Sequence, residues 1–318
     1  MADYKAIKGH NIETVAGDPS VLQVGDIWYS NTTKKIRGAK LGAGAWSTGG
    51  VTNAGRRNYG CTQGTQTATL FAGGYNPGGI QALSEEYDGS SWTEGSNLNT
   101  ACTDAFAFGT QTAGTQAGGG PALTKNEEYN GTSWTEVTDI PAGVHQGGAV
   151  GTQTAGLIFG GSTAVVTSKE YDGTNWTDGG DLNVGRHGGG ACGTQTAANY
   201  VNGNPPNMTN NEEYDGSTWT EVNNANTARY NLASGGTQTS GIIMGGDPTA
   251  ADGDETEQYD GTSWTETTDL NTARYLVSGA GASGAVAILV NGYNSSTAET
   301  TATEEWDQAV AASSFTSS

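Results

Sequence analysis

Residue types that bind metal ions are scarce in this sequence. It contains three cysteines and three histidines among 318 residues. Cys61, Cys102 and Cys192 lie far apart without the spacing of a metal site, and His145 and His187 occupy matching positions of a repeat. We therefore predict no metal site and no cofactor, and we expect the cysteines to be small core residues.

Basic residues and long apolar runs are also rare. Thirteen basic residues against 33 acidic ones give a formal net charge of −20. Such a surface repels phosphate backbones and anionic lipids, so we predict neither a nucleic-acid partner nor membrane binding. No run of 18 apolar residues occurs, and the opening Met-Ala-Asp-Tyr-Lys lacks the apolar region of a signal peptide. We therefore expect a protein made in a cytoplasm, without membrane insertion.

Glycine and the aromatic residues give opposite indications about folding. Fifty-one glycines and only 14% charged residues are typical of low-complexity or disordered chains. Eight tryptophans and thirteen tyrosines at regular spacing argue against disorder, because large aromatic side chains need a core in which to pack. The sequence therefore indicates a folded protein.

A repeat of 42 to 47 residues is the main feature of the sequence. Its first element, Gly-Thr-Gln-Thr, begins at Gly64, Gly109, Gly151, Gly193 and Gly236, and a degenerate copy begins at Gly281. Its second element, a tyrosine before Asp-Gly or Asn-Gly, has its aromatic residue at Tyr87, Tyr129, Tyr171, Tyr214, Tyr259 and, in altered form, Trp306. This spacing matches a propeller blade and is too long for leucine-rich or ankyrin repeats.

Each repeat predicts four short strands. The first ends at Gly-Thr-Gln-Thr, and the second is an apolar run closing on Gly-Gly, where glycine permits close packing near a crowded axis. The third carries Glu-Glu-Tyr, and an Asp-Gly or Asn-Gly turn leads into the fourth, which begins with tryptophan. Short strands with polar turns at this pitch predict an all-β propeller of four-stranded blades.

The two ends of the repetitive region predict how the propeller closes. Trp46 matches a fourth-strand tryptophan without three strands before it, and Trp306 lies in a third strand without a fourth after it. Six third strands and six fourth strands balance if the strand around Trp46 completes the last blade. We therefore predict a six-bladed propeller closed circularly by its N-terminal strand, which removes exposed sheet edges.

The order of the motifs resembles the kelch repeat family: Gly-Gly follows an apolar strand, a tyrosine comes next, and a tryptophan follows about five residues later. The resemblance covers residues 44–307 and implies a kelch-like propeller there. An apolar strand, an Asn/Thr turn and a second strand within residues 25–38 predict an N-terminal β-hairpin module (1–43), and residues 308–318 form a C-terminal tail. The basic residue that kelch repeats commonly have before strand one is matched by Arg57, Arg186, Arg229 and Arg274, and Cys102 and Val144 take the equivalent positions.

The sequences of the repeat elements, Gly-Thr-Gln-Thr-Ala and Glu-Glu-Tyr-Asp-Gly-Ser-Ser-Trp, resemble those of virion structural proteins of marine tailed bacteriophages. Residues 25–38 are also similar to small connecting modules of phage tail-fibre and appendage proteins. The resemblance implies a non-catalytic virion protein that is made in the host cytoplasm. It also implies a homo-oligomer or several copies in an assembly.

Basic residues concentrate in the N-terminal module, which predicts a docking role. A positive module attached to an acidic propeller suits docking to other virion proteins. The docking residues that we predict are Trp28, Tyr29, Lys34, Lys35 and Arg37. The alternative is a β flap that packs on the propeller.

Variable loops predict where a ligand binds. The loops between strands two and three share one face with the connectors between blades, and they vary most in sequence. The arginines on this face, Arg57, Arg186, Arg229 and Arg274, bind a carboxylate or sulfate of a glycan or, alternatively, join neighbouring blades. Asp247, Asp252 and Asp254 form a further candidate ligand site, although their loop lacks the spacing of a calcium loop.

Three classes of function stay open at this point. We favour a phage tail-fibre or appendage protein that attaches to a host-surface glycan, with a capsid decoration protein as a close alternative. A sialidase-like hydrolase is disfavoured, because the turn Tyr-Asp-Gly-Ser-Ser-Trp is one residue short of an aspartate box. A copper oxidase would need more histidine ligands, and a cellular kelch adaptor would need a recruitment domain.

Overall fold

The computed structural model describes residues 12–57, 61–247, 253–296 and 298–314. Within these residues all regular structure is β-strand, as the sequence predicted, and none is helix. The chain divides into two compact units, one containing residues 12–44 with 308–314 and the other spanning Ala45–Asp307. We call them the terminal unit and the repeat unit.

Along the described residues the strands are β1 (Glu13–Val15), β2 (Ile27–Ser30), β3 (Lys35–Leu41), β4 (Ala45–Thr48), β5 (Thr62–Thr65), β6 (Ala68–Ala72), β7 (Tyr75–Asn76), β8 (Gly79–Ile80), β9 (Ser84–Tyr87), β10 (Trp92–Glu94), β11 (Phe106–Thr110), β12 (Ala113–Ala117), β13 (Asn126–Tyr129), β14 (Trp134–Glu136), β15 (Gly148–Thr152), β16 (Ala155–Phe159), β17 (Ser168–Tyr171), β18 (Trp176–Asp178), β19 (Gly190–Thr194), β20 (Ala197–Val201), β21 (Asn211–Tyr214), β22 (Trp219–Val222), β23 (Ala233–Thr237), β24 (Ser240–Gly246), β25 (Gly253–Tyr259), β26 (Trp264–Glu266), β27 (Ser278–Ser283), β28 (Val286–Val290), β29 (Tyr293–Asn294), β30 (Ala298–Glu299), β31 (Thr303–Asp307) and β32 (Val310–Ser314).

The terminal unit is a four-stranded sheet in the order β1-β2-β3-β32. β1 runs parallel to β2, and the other two pairs are antiparallel. β2 and β3 form the predicted hairpin, with Trp28 opposite Arg37. β32 pairs with β3 from Leu41 to Arg37, so the C-terminal segment is part of this sheet.

Among the described residues, the repeat unit forms six four-stranded antiparallel sheets, one for each predicted repeat. They are sheet 1 (β5-β6-β9-β10), sheet 2 (β11 to β14), sheet 3 (β15 to β18), sheet 4 (β19 to β22), sheet 5 (β23 to β26) and sheet 6 (β27-β28-β31-β4). In sheets 1 to 5 the turn into the fourth strand uses glycine at positive φ, for example 90° at Gly89 and 85° at Gly131. The arrangement is propeller-like.

Sheet 6 combines strands from both ends of the repeat unit. β4 pairs antiparallel with β31, and Trp46 lies directly opposite Trp306 with their ring centroids 5.4 Å apart. The Trp46 indole N–H donates to the Thr268 carbonyl oxygen at 3.1 Å. The predicted pairing of these two segments is therefore confirmed.

The first strands of neighbouring sheets pack against one another. The contacts run in chain order from β5 through β11, β15, β19 and β23 to β27, and β27 also contacts β5. All six strands line a cavity of about 100 Å³, mostly with glycine and alanine. Small residues are needed because the backbones approach closely: a Cβ on Gly235 would lie 2.8 Å from the Gly281 nitrogen.

Apolar second strands and aromatic pairs fill the interfaces between sheets. Between sheets 3 and 4, the Phe159 ring lies 4.7 Å from Trp219 and 5.0 Å from Tyr200. Tyr214 packs on Trp219 at 5.0 Å, and the same tyrosine–tryptophan pair recurs in other sheets. Each large apolar side chain buried in this way stabilises the fold by about 1.5–3 kcal/mol. The core is therefore distributed over several interfaces.

Glutamine side chains of the Gly-Thr-Gln-Thr element bind the preceding sheet. Gln153 donates from Nε2 to the carbonyl oxygens of Gly114 at 3.0 Å and Tyr129 at 2.9 Å. Equivalent bonds are made by Gln111, Gln195 and Gln238. The element therefore recurs because it joins repeats, in addition to forming a turn.

Tyrosine–glutamate hydrogen bonds also join consecutive sheets. In sheets 1 to 5, the tyrosine that ends the third strand donates its hydroxyl proton to a glutamate of the neighbouring sheet. The pairs are Tyr129–Glu86, Tyr171–Glu128, Tyr214–Glu170, Tyr259–Glu213 and, between sheets 1 and 6, Tyr87–Glu305. Burial, together with the bonded carboxylate, raises the pKa of all five tyrosines, to about 12 for Tyr87 and Tyr214.

These tyrosines predict a loss of stability in alkali. An unfolded tyrosine loses its proton near pH 10, whereas folded Tyr214 keeps its proton to about pH 12. Between these values the unfolded state binds fewer protons, so the free energy of unfolding falls by up to about 1.4 kcal/mol per pH unit for each such group. Tyr214→Phe should lower stability by about 1 kcal/mol at neutral pH and make the alkaline decline shallower. Urea unfolding between pH 8 and pH 11.5 measures both effects.

Val150→Ala is the matched control, because it removes buried apolar atoms without changing a titrating group. It should lower stability by a similar amount at every pH. An alkaline slope in Tyr214→Phe that equals the wild-type slope would contradict the assignment.

Candidate functional site

The connectors between sheets and the loops after the second strands meet on one face of the repeat unit. Isolated β-bridges join Arg57 to Tyr75, Thr103 to Gly120, His187 to Asn204, Tyr230 to Asp247 and Tyr275 to Tyr293. In each pair the first residue belongs to a connector and the second to a loop. The two kinds of segment share a face, as the sequence predicted, and we call it the loop face.

Residues in the left-handed backbone region precede the first strands on the loop face. They are Asp104, Gln146, Gly188, Asn231 and Leu276, with φ between 50° and 70°. The Gln146 N–H donates to the Asp104 carbonyl oxygen at 2.8 Å, and Gly188 and Asn231 continue the same pattern. For a leucine this conformation costs about 1–3 kcal/mol, and strain of this kind is found at binding sites. Because five repeats share this conformation at the same position, it belongs here to the scaffold, and it places the Leu276 side chain on the loop face.

A cavity of about 210 Å³ opens beside that leucine. The described residues that line it are Arg57, Tyr75, Thr103, Asp104 and Leu276. They come from the connectors that enter sheets 1, 2 and 6 and from the loop of sheet 1. The lining combines a guanidinium, a carboxylate, a hydroxyl, an aromatic ring and an aliphatic side chain, which suits a small polar ligand with an apolar surface.

Arg57 is held in place by three neighbours. Its guanidinium carbon lies 4.7 Å from the centre of the Tyr75 ring and 5.4 Å from that of Tyr293. Nη1 lies 3.6 Å from Oε1 of Glu299. Tyr293 is in turn held edge-on against Tyr275 at 5.4 Å. Because the Arg57 side chain is 35% exposed, its guanidinium is positioned yet accessible.

The structure corrects the alignment of Arg57 with the other three arginines. Arg56 occupies the repeat position: its side chain is fully buried and donates to Oε1 of Glu85 at 2.6 Å and to the Gly73 carbonyl oxygen at 2.9 Å. Arg57 is one residue further along and points to the loop face. The sequence pattern did not distinguish the two, because they are adjacent and of the same type.

Arg186, Arg229 and Arg274 are buried in the same way as Arg56. Each pairs with a buried glutamate of the third strand and donates to backbone carbonyls; the ion pairs are Arg186–Glu212, Arg229–Glu257 and Arg274–Glu304. Burial lowers the pKa of Arg56, Arg229 and Arg274, and the paired glutamate opposes this effect. Each of these arginines binds the sheet that its own connector enters, so it is part of the scaffold, but the prediction that the arginines join neighbouring blades is wrong. Their guanidinium groups are fully buried and do not reach the loop face.

Sheet 3 supports this scaffold role by lacking both partners. Val144 takes the arginine position there, and Lys169 takes the position of the paired glutamate. Lys169 forms an ion pair with the exposed Asp178 instead.

In sheet 2 only the arginine is replaced, by Cys102, and the buried Glu127 accepts hydrogen bonds from the Asn99 N–H at 2.8 Å and the Thr100 N–H at 2.7 Å. The two partners are therefore not always lost together, and backbone donors also stabilise the buried carboxylate.

The acidic candidate residues do not come together as a described site. Asp247 is buried, with its backbone paired to Tyr230, and Asp254 is exposed at the start of β25. Asp252 lies outside the described residues. Within the described part of the chain, no three His, Cys, Asp or Glu side chains are arranged to hold a metal ion.

The predicted docking residues of the terminal unit differ in exposure. Lys34 and Lys35 are exposed, whereas Trp28 is buried and Tyr29 is half-buried. Arg37 forms an ion pair with Asp18 at 2.9 Å and donates to the carbonyl oxygen of Ala312. The two lysines therefore stay accessible to a partner.

Sequence reasoning missed four of the five cavity residues, namely Tyr75, Thr103, Asp104 and Leu276. A signal was present in Tyr75 and its counterpart Tyr293, which stand where sheets 2, 4 and 5 have Gly120, Asn204 and Asp247. Departure from a repeat at an exposed position indicates a role beyond the scaffold.

No protein-family model matches this chain, and no curated protein matches it. None of the described segments is a helix of the length and apolarity that a membrane crossing requires. The candidate site is therefore assigned from its own geometry.

Separate replacement of Arg186 and Arg57 by methionine should distinguish a buried arginine of the scaffold from the accessible arginine of the cavity. Arg186→Met leaves Glu212 buried without its charged partner and should lower the free energy of unfolding by about 3–5 kcal/mol. Arg57→Met removes an accessible ion pair and should change it by no more than about 1 kcal/mol. Chemical denaturation of both variants measures the difference. Equal losses would contradict the division between buried and accessible arginines.

Proposed function

We propose that the repeat unit is a six-bladed kelch-like β-propeller, that the chain is a non-catalytic structural protein of a tailed-phage virion, and that its loop face attaches to a host-surface glycan. The observation that carries the binding proposal is the cavity beside Arg57. Its residues depart from the repeat, whereas the framework below it is repetitive and extensively bonded. Distinct side chains on a rigid repeated scaffold are typical of a recognition surface.

Contacts between sheets 1 and 6 support circular closure. β27 contacts β5, and Tyr87 donates its hydroxyl proton to Glu305. Gln66 donates from Nε2 to the Trp306 carbonyl oxygen at 2.9 Å, as its counterparts do between consecutive sheets. The interface between the last and the first sheet thus uses the same two kinds of bond as four of the five interfaces between consecutive sheets, which is what a closed six-bladed propeller requires.

The chemistry of the cavity favours binding without catalysis. Glycoside hydrolysis generally uses two carboxyl groups on opposite sides of the scissile bond. The described lining residues include one carboxylate, that of Asp104. The nearby carboxylate of Glu299 is paired with Arg57, which restricts it to a positioning role.

The charges of the two units support docking through the terminal unit. Residues 1–44 and 308–318 carry six basic and four acidic residues, and residues 45–307 carry seven basic and 29 acidic residues. Exposed Lys34 and Lys35, together with exposed Val21 and Val24, offer an acidic partner both charge and apolar contact. We propose that the partner is another virion protein, so that the loop face is left for the host.

Competition with phage adsorption tests glycan attachment. The purified chain is added to host cells of the phage that carries it. It should reduce the subsequent adsorption of phage particles by occupying their receptor. Tyr75→Ala should require about tenfold more protein for the same effect, because it removes the aromatic wall of the cavity. Thr132→Ala, which changes an exposed side chain in the turn between β13 and β14, away from the loop face, should match the wild type. Absence of competition by the wild-type chain would contradict host attachment.

Antibody-gold labelling of purified virions tests the location. Label at the tail or at fibre tips is the expected result. Label spread over the head would contradict the appendage assignment and favour a capsid decoration protein. Particles without label would contradict the virion proposal altogether.

A further inference from the structure

Resting on the proposed glycan-binding function, we propose that the Arg57 cavity recognises a neutral pyranose and discriminates against acidic sugars. One of the two alternatives from the sequence was that four arginines on one face bind a carboxylate or sulfate of a glycan. The charges around the cavity favour the opposite selectivity.

The first argument is that the positive charge of Arg57 is already compensated. Its Nη1 faces the Glu299 carboxylate at 3.6 Å, and the Glu299 side chain is only 10% exposed. An anionic ligand at this guanidinium would lie close to a partly desolvated carboxylate of the same sign, which is unfavourable. A sugar hydroxyl accepts a hydrogen bond from the remaining guanidinium N–H groups without disturbing the pair.

The second argument is that no cluster of arginines supports Arg57. Arg56, Arg186, Arg229 and Arg274 are fully buried and are engaged with glutamates. Asp104 adds a negative group to the cavity lining. The repeat unit as a whole has a formal charge of −22, from seven basic and 29 acidic residues. The surrounding potential therefore repels anions and leaves a neutral ligand unaffected.

The third argument is that the lining complements an uncharged sugar ring. A pyranose presents hydroxyl groups at its edge and C–H groups on its faces. Arg57 donates hydrogen bonds to sugar hydroxyls, and the Asp104 carboxylate and the Thr103 hydroxyl add polar groups to the lining. Tyr75 and Leu276 provide the apolar contact for the C–H groups. A volume of about 210 Å³ suits one such ring better than an extended peptide.

Ligand-observed NMR titration of the full chain tests this selectivity. The probes are the methyl glycosides of glucose, galactose and mannose, and the methyl glycosides of glucuronic and galacturonic acid. At least one neutral glycoside should bind, and its matched uronate, where the panel offers one, should bind about tenfold more weakly at low salt. The difference should shrink as salt is added, because screening weakens the repulsion.

Two variants locate the effect in the cavity. Tyr75→Ala should weaken binding of the neutral glycoside about tenfold. Glu299→Gln removes the carboxylate beside Arg57 and should improve uronate binding several-fold, with a smaller effect on the neutral sugar. Thr132→Ala, which changes an exposed uncharged side chain in the turn between β13 and β14, should leave both affinities at the wild-type value.

A uronate that binds wild-type protein as tightly as its neutral counterpart would overturn the selectivity. Neutral binding that is unaffected by Tyr75→Ala would overturn the assignment to this cavity. Failure of every probe to bind would overturn the proposed ligand class. The adsorption assay then shows whether host attachment through the loop face is overturned as well. If Tyr75→Ala still weakens competition for host cells, host attachment through the loop face stands; if the wild-type chain does not compete, both proposals fall.

Discussion

Neighbouring sheets of the repeat unit are joined by two kinds of side-chain hydrogen bond, from a glutamine to two backbone carbonyls and from a tyrosine to a glutamate. A small sheet by itself buries little apolar surface, so its stability depends on these interfaces. The two partners of each bond belong to different repeats. Gln258 and Trp306 replace the glutamate and the tyrosine together between sheets 5 and 6, which indicates that one partner without the other is unfavourable.

The buried arginine–glutamate pairs extend this framework to the loop face. Each of these pairs anchors a connector onto the third strand of the sheet that the connector enters, as Arg229 does with Glu257. With the connectors held in this way, the loop face can vary in sequence without loss of the fold. Arg56 and Arg57 illustrate this difference. Arg56 forms an ion pair within the scaffold, whereas Arg57 contacts Tyr75 and Tyr293 and faces the cavity.

Strand content, the four-strand pattern and the pairing of Trp46 with the strand of Trp306 followed from the sequence, because turn residues and aromatic spacing are local signals. The error over Arg57 has a simple cause. Successive side chains of an extended chain point to opposite sides, so a shift of one residue exchanges a buried position for an exposed one. Two adjacent arginines give no indication of which is buried. Thr103 and Leu276 were missed because they approach Arg57 from other repeats.

The sequence by itself determined the all-β fold class, the number of repeats, the strand order within each repeat and the acidic character of the repeat unit, since all of these depend on residue type and spacing. The tertiary structure decided which arginines are ion-paired inside, which residues form the cavity, and that β32 joins β3 in the terminal unit. These features require contacts between residues far apart in the chain. Such contacts are set by packing and by compensation of buried charge, and no local pattern records them.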